Sequence, residues 1–588
     1  MRQWIAGLRK RVGGLLADSP EQSAAAQRQE VVARGLQTIS GSKPTAEQLN
    51  QVLAKQETID ALHHRLRDEH QEVDMEKLLS YDGLSNLQAL KDKGTGYLFV
   101  FAQGFLGGIL EQLTKSPKPI VSVVFKPHED PTAHIPVVER GHGLAFELLF
   151  YPTEDPAMVT SWFDHLASVT MKPAAFAVST ATPVLPVWCR VSSENEITLE
   201  IAAPIQPGTD PSALTMQLTQ HFAQRMKASP EEMDWEADCW YPPIKQVLSS
   251  RRVLPITLPD GHAPTPLKML VRVPDSITEA SLAVPAARAL KFGRHDVHLT
   301  VLAAKESTAF WKQVEAVDKV LSLADTGAKG DSALSEPYDF GVVLTREEQA
   351  GTQLRRFAIH RLVGMENHPQ SDRFDELLNM PRKLGPPEHR HRSYLRVAHR
   401  MGADVESNPQ LRAPLREFEP ERSGVPIVGL APASGNGPSH EWPKERFLAL
   451  VKGVEQSVAW RVFLSRRDVE GRKAWESELS KLGVAIEIWE SEEKLSLDIA
   501  ALQQCQLVVA NDNEWLHLAA VCGVPTVAIY GPSDPIETAP VSSSAWTVRK
   551  HVECTPCFLA ECPLDHRCMN AIDVADVMGP FEDLLERR

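Results

Sequence analysis

The latter part of the chain is built from short apolar runs separated by helical stretches, and that alternation restricts the fold more than any other feature. KMLVRV (residues 268–273), VHLTVL (297–302) and FGVVL (340–344) read as strands, with a helix over residues 279–290 between the first two. The theme then repeats. PIVGLA, WRVFLS, VAIEIW, LVVA and TVAIY, starting at Pro426, Trp460, Val484, Leu507 and Thr526, are strands with helical segments between them. Continuous apolar strands alternating with helices predict a parallel sheet covered on both faces. Two such sheets in tandem predict an α/β protein with two doubly wound, Rossmann-like halves and a ligand cleft between them, at the carboxyl ends of the strands. Proline-rich sequence near residues 254–266 precedes the pattern. The two halves are read as residues 262–420 and 421–588.

Residues 46–253 form a separate expected unit. A polar helical stretch runs over residues 46–79. Strands are expected at 97–102, 120–125, 184–191 and 197–201, and a helix at 211–227. Mixed strands and helices predict another α/β layered domain. Three or four domains suit 588 residues at about 100–200 residues each. Hydrophobic residues make up 43% and charged residues 24%, which excludes a mainly disordered chain or a small disulfide scaffold. The 62 basic and 77 acidic residues leave a net charge of −15, which argues against a general nucleic-acid binder.

The longest nearly unbroken apolar run, residues 96–110, is shorter than the ~18 residues of a membrane-spanning helix, and Gln103 interrupts it. The N-terminus shows no apolar signal region with a cleavage site, so an unexported, cytoplasmic chain is expected. On a helix, Trp4, Ile5, Leu8, Val12, Leu15 and Leu16 share one face, with Arg2, Arg9, Lys10 and Arg11 outside it. Such a helix either lies on an anionic membrane surface or docks on the protein's own body. Residues 19–45, rich in Ser, Gln and Ala, read as a linker, so residues 1–45 form an N-terminal helix and linker.

MKPAAFAVSTATPVLPVWCRV (171–191) and EITLEIAAPIQPGTDPSALTMQLTQHFAQRMKASPEEMDW (196–235) resemble segments of the lipid A (lauroyl/myristoyl) acyltransferase family. In that family a histidine and a carboxylate four residues apart follow the first apolar strand, the histidine acting as general base. Here that place reads AQGFLGG (102–108), without either residue. The spacing recurs at His63 and Asp68 and at His64 and Glu69, inside the charged helical stretch, where a solvated helix face is expected. The resemblance therefore implies an acyltransferase-like fold without acyl transfer, with acyl-chain binding or membrane contact as its remaining roles.

A second resemblance covers nearly all of the remainder. PASGNGPSHEWPKERFLALV (432–451), DNEWLHLAAVCGVPTVAIYGPSDPIETAP (512–540) and CTPCFLAECPLDHRCMNAI (554–572) are similar to glycosyltransferase family 9, the ADP-heptose:lipopolysaccharide heptosyltransferases. TEASLAVPAARAL (278–290), RLVGM (361–365) and HRSYLRVAHRMGAD fit its first half. The resemblance implies a GT-B fold and transfer of a heptose or related sugar, with inversion, from a nucleotide sugar such as ADP-heptose. The implied acceptor is a lipopolysaccharide or glycolipid at the inner face of the inner membrane of a Gram-negative-type bacterium. Partners are then the nucleotide sugar, the acceptor and the membrane surface, with no nucleic acid and no required cofactor.

That chemistry needs a carboxylate base, a cation near the leaving diphosphate and backbone amides at a helix N-terminus. Carried over by position, the base falls on Glu279, six residues before Pro285, where the family has Asp. The phosphate cation falls on His440 in place of Lys, with Lys444 one turn away as substitute. The donor loop carries Ser434, then Asp512, Asn513, Glu514 and His517, with Asn513 and Glu514 replacing the family's Thr and Gly. Ser533, Asp534 and Thr538 occupy the turn that lines the cleft in relatives. Glu514 sets a negative charge beside a negative ligand. With the missing His–acid pair and the change at His440, it supports an alternative reading: a catalytically degenerate assembly or lipid-binding protein derived from two fused enzymes.

Cys554, Cys557, Cys562 and Cys568 follow C-x2-C-x4-C-x5-C and include four of the chain's eight cysteines. Either they hold a structural zinc, which four thiolates bind tetrahedrally, or they remain reduced or paired. The resemblance implies no catalytic metal.

Overall fold

The structure, a computed structural model, describes residues 44–67, 78–102, 106–115, 119–125, 129–148, 157–163, 165–192, 196–232, 265–326, 336–379, 387–415, 424–464, 469–484, 486–490 and 495–586, with isolated positions besides. The basic apolar segment 1–16, Asp68, Glu69 and the strand end 465–468 lie outside them, as do the side chains of His63 and His64. Two compact units divide at the proline-rich boundary, Met1–Pro266 and Leu267–Arg588.

The first unit contains β1 (Leu79–Asp82), β2 (Tyr97–Ala102), β3 (Val123–Val124), β4 (Gly143–Leu148), β5 (Ala157–Trp162), β6 (His165–Thr170), β7 (Val184–Val191) and β8 (Ile197–Ile201). Six of them form a sheet in the order β1-β8-β7-β2-β4-β3, in which only the β7–β8 pair is antiparallel. β5 and β6 form a separate hairpin. Central β2 is buried along its whole length, which is why YLFVFA has no polar alternation. Helices α1 (Ala46–Arg67), α2 (Leu84–Lys91), α3 (Leu106–Leu113), α4 (Lys172–Thr180) and α5 (Pro211–Ala228) accompany the sheet. α5 starts where its sequence says it should: Asp210 accepts from the Ser212 amide at 2.9 Å and Pro211 supplies the first turn. The expected helix over 46–79 has described residues only to Arg67, and residues 79–82 pair as β1 instead. The strand expected over 120–125 is reduced to two residues.

In the second unit, the first half holds β9 (Leu267–Arg272), β10 (Val297–Ala303), β11 (Lys319–Ser322), β12 (Pro337–Val343), β13 (Ala358–Met365) and β14 (Glu376–Leu378), with α6 (Ile277–Phe292) and α7 (Arg390–Arg400). The other half holds β15 (Ile427–Ala431), β16 (Ala459–Leu464), β17 (Ile486–Glu490), β18 (Cys505–Asn511), β19 (Thr526–Tyr530) and β20 (Ala545–Arg549). Its helices are α8 (Lys444–Gly453), α9 (Val469–Leu479), α10 (Leu495–Gln503), α11 (Glu514–Val521) and α12 (Val574–Glu586). The sheets run β11-β10-β9-β12-β13-β14 and β17-β16-β15-β18-β19-β20, every pair parallel. Each is the 3-2-1-4-5-6 order of a dinucleotide-binding sheet. Two such halves in tandem make the α/β GT-B architecture expected from the strand–helix alternation.

α6 is capped by Ser276, whose hydroxyl accepts from the Glu279 amide at 3.2 Å. Its residues 280–290 are all buried, because it packs against α7 of its own half and α11 of the other. That burial sustains the helix through Pro285, which removes a hydrogen bond from its interior. Fully buried Arg288 pairs with Glu315 at 2.7 Å and donates to the carbonyls of Leu411, Ala413 and Pro414 in the segment joining the halves. The next residue, Leu415, donates its amide to Val521 at the end of α11 at 2.8 Å.

Candidate active site

In each half the first and fourth strands are neighbours and their connections diverge, which opens a crevice beyond their carboxyl ends. In the second half these strands are β15 and β18. Two asparagines join the segments that follow them. Asn511, fully buried, accepts from the Trp442 amide at 3.1 Å and donates to the Pro432 carbonyl. Asn513 caps α11 through the Leu516 amide at 2.9 Å, and its amide donates to the carbonyls of Ala431 and Ala433 at 2.9 and 2.7 Å. Ser434 and Asn436 complete the join by donating to the Asp512 carbonyl at 3.1 and 3.2 Å.

This clamp presents Asp512 at the mouth of α11. Its carboxylate is buried, accepts from the Ser533 hydroxyl at 2.6 Å and stands 3.6 Å from Nε2 of buried His517. Burial alone pushes such a carboxyl up. Here His517, Ser533 and His440 outweigh it and hold Asp512 below the usual carboxylate range. The structure thus brings together Ser434, Asp512, Asn513, His517, His440 and Ser533.

His440 is buried in a 3-10 turn, and burial pushes its pKa down despite Asp512. Its Nδ1 is a buried atom with no hydrogen-bond partner among the described residues, and Nε2 of His517 faces the Asp512 carboxylate at 3.6 Å. Lys444 does not take its place. Its ammonium lies over the Trp475 ring of α9, 6.0 Å from the centroid, because the first position of α8 faces that helix.

Glu514 is exposed in the first turn of α11, where a carboxylate favours the helix dipole. Asn513 before it is extended (φ −149°), and Glu514 is itself helical, so the backbone does not require glycine there. What the side chain changes is access and charge. Asp534 serves the fold: it caps the turn 535–538 through the Ile536 amide at 3.1 Å and pairs with Arg549 at 2.9 Å. Thr538 is buried and donates to the Asp534 carbonyl at 3.2 Å.

The cysteine segment backs the donor loop. Ser439 donates its amide to Ala560 at 3.1 Å. Gly437 has φ +107° and lies so near Ala560 that a Cβ would stand 2.4 Å from its carbonyl oxygen. Cys554, Cys557, Cys562 and Cys568 are unpaired thiols, and burial with the neighbouring thiols pushes Cys568 up. Among the described residues no group of three or more His, Cys, Asp or Glu is placed to hold a metal ion.

On the first half, Glu279 stands in the first turn of α6. Its two carboxylate oxygens accept from Arg390 and from the Tyr394 hydroxyl of α7, each at 2.6 Å. Arg390 lies 4.0 Å from Glu537 of the second half. His389, the cap of α7, donates from Nε2 to the Ala539 carbonyl at 2.7 Å, and its ring feels His517. The first turns of α6 and α7 therefore meet the Asp512 side of the crevice, while Arg288 and Leu415 join the far ends of α6 and α11. The sequence reading assigned no role to Arg390, Tyr394, His389 or Asn511. The basic run HRHR beside an aromatic was the signal available for the α7 residues.

Residues 338–567 match the family model of glycosyltransferase family 9 (heptosyltransferase). The match takes in the whole of the Asp512 crevice wall and begins beyond Glu279. A lipooligosaccharide heptosyltransferase 2 from Haemophilus influenzae is 30% identical over 143 residues, 23% of this chain and 40% of the relative. A lipopolysaccharide heptosyltransferase 2 from Escherichia coli K12 is 30% identical over 129 residues, 21% of this chain and 36% of the relative. The chain thus spans about two fifths of the length of the curated relatives it matches. Among solved structures, the Escherichia coli ADP-heptose LPS heptosyltransferase II is 20% identical, with a TM-score of 0.46 over 54% of this chain and 98% of that one. A family 9 glycosyl transferase from Veillonella parvula is 18% identical, with a TM-score of 0.46 over 55% of this chain and 98% of that one. The family 9 match lies within the second unit.

Proposed function

We propose that the second unit is a glycosyltransferase of the heptosyltransferase type. It passes a heptose or related sugar from a nucleotide sugar, ADP-heptose in the first instance, to a lipopolysaccharide or glycolipid acceptor. The observation that carries this reading is the convergence of Glu279, on the first half, with Asp512 and the α11 N-terminus on the second, at one end of the packed helices α6 and α11. The family 9 match across the Asp512 side supports it.

In this reading the donor diphosphate lies at the first turn of α11, where the positive end of the helix dipole favours an anion. Asp512, with His517 beside it, and Nδ1 of His440 meet the donor's polar groups. Glu279 takes the proton of the acceptor hydroxyl as that oxygen bonds to the anomeric carbon. The bond from that carbon to the diphosphate breaks on the opposite face, giving inversion, and the diphosphate leaves with the electron pair. Positive charge from the protein replaces a metal. The acceptor places the reaction at the cytoplasmic membrane face. Among the described residues no helix is long and apolar enough to cross a membrane. Residues 1–16 and the first unit are the proposed membrane contacts.

The test is transfer from ADP-heptose to a heptose-free lipopolysaccharide acceptor by the full chain. Wild type turns over, and Glu279→Gln loses transfer, at least about 100-fold for a general base, without weakened donor binding. Equal loss of donor binding and transfer gives Glu279 a structural role instead.

One set of observations favours a second reading, a non-catalytic assembly or lipid-binding protein. His440 is neutral, Lys444 faces Trp475 and Glu514 stands at the α11 N-terminus. A folded protein that binds no nucleoside diphosphate fits that reading.

A further inference from the structure

The crevice poses a question of charge. A leaving diphosphate needs a cation, yet burial leaves His440 neutral and Lys444 is turned onto Trp475. Arg549 is committed to Asp534 in a buried pair. Arg390 stands at the junction of the halves, between Glu279 at 2.6 Å and Glu537 at 4.0 Å. Its side chain is 44% exposed, so it has room to turn, whereas Tyr394 beneath it is buried at 9% exposure.

The second observation concerns Glu279. Both of its oxygens already accept a short hydrogen bond, one of them from a cation, so an acceptor hydroxyl has to share the oxygen that Arg390 holds in this state. One partner is half-exposed and cationic, and the other is buried and neutral. A diphosphate at the first turn of α11 is a stronger attraction for a guanidinium than one carboxylate, because it offers more charge and bidentate oxygens.

We infer that Arg390 is shared between Glu279 and the donor: it covers the carboxylate in the empty protein and moves to the nucleoside diphosphate when donor binds. Glu279 then keeps Tyr394 as its positioning partner and frees the oxygen that Arg390 held. The base is uncovered only when there is a donor to attack, and the arginine that covered it neutralises the charge of the leaving group. No bond other than hydrogen bonds and ion pairs changes in this step. The inference rests on the proposed transferase reading and names a cation for it among the described residues.

A double-mutant cycle on the full chain tests it, read by calorimetric titration with ADP, GDP and UDP and with folding checked by thermal unfolding. Glu279 competes with the diphosphate for Arg390, so Glu279→Gln should tighten the best-binding nucleoside diphosphate about threefold or more. Arg390→Gln should weaken it about tenfold, and Arg390→Lys should recover part of that loss. In the Arg390→Gln background, Glu279→Gln should change affinity less than about twofold. A purely structural pair predicts that Glu279→Gln leaves binding unchanged or weakens it, and either result overturns the inference while the transferase reading stands. Absence of binding by folded wild type to all three nucleotides overturns both.

Discussion

Asn513 shows how one side chain fixes the site. It caps α11 and holds the carbonyls of Ala431 and Ala433, so the donor loop and the helix mouth share one anchor. Asn513→Ala loses the cap and leaves buried carbonyls unpaired, and should cost about 1–3 kcal/mol in denaturant unfolding. A change within about 0.5 kcal/mol would show that water or a neighbour takes over. His440 and Glu514 allow a prediction on binding. His440→Lys with Glu514→Gly places a cation and removes an anion at the mouth of α11, and should tighten nucleoside diphosphate binding about tenfold. Unchanged affinity in titration places the diphosphate elsewhere. At this scale the sequence was partly legible. Asp512, His517 and Glu279 are recognised because the motifs around them are local. Arg390 was not, because its partner Glu279 lies 111 positions away and only the packing of α6 on α7 brings them together.

The first turn of α7 is the element that ties the two halves at the site, and it makes stability depend on pH. His391 donates from Nδ1 to Nδ1 of His389 at 2.6 Å, since Nε2 of His389 is the donor to Ala539. Burial, then His389, Arg412 and Arg392, lower the pKa of His391 to about 3. In the unfolded chain it titrates near ~6.5. The unfolded state therefore binds more protons between those values. The stability tied to neutral His391 is whole above ~6.5 and falls with pH below it, by up to about 1 kcal/mol per pH unit. His391→Phe should flatten that slope in denaturant titrations between pH 6.5 and 4, and an unchanged slope would assign it to other groups. Element by element, central strands were the most legible. β9, β10, β12, β15, β18 and β19 are buried and read as apolar runs. Edge strands β11, β14 and β20 carry mixed sequence over partly exposed backbone, as in AWTVR, and gave no such signal. In the first unit the β5–β6 hairpin was missed for a related reason: AMVTSW and HLASVT mix small and polar residues rather than forming an apolar run.

At the scale of the molecule, the boundary at residue 266 and the pair of doubly wound sheets follow from a proline-rich break and a repeated strand–helix pattern. The depth of the site was less visible, because it is made by loops from both halves and by a helix pair across their junction. The first unit has the α/β sheet expected of it. Its acyltransferase-like role remains a proposal about lipid or membrane contact. Liposome flotation of the full chain beside a variant lacking residues 1–16 addresses it: loss of binding assigns the contact to that segment, and retained binding assigns it to the body of the protein. The central claim concerns the crevice, and calorimetric titration of the purified full chain with ADP, ADP-heptose, UDP and GDP tests it most directly. The account predicts saturable one-to-one binding of ADP and ADP-heptose in preference to UDP and GDP. No heat of binding with any of the four, from protein that unfolds cooperatively, would contradict it.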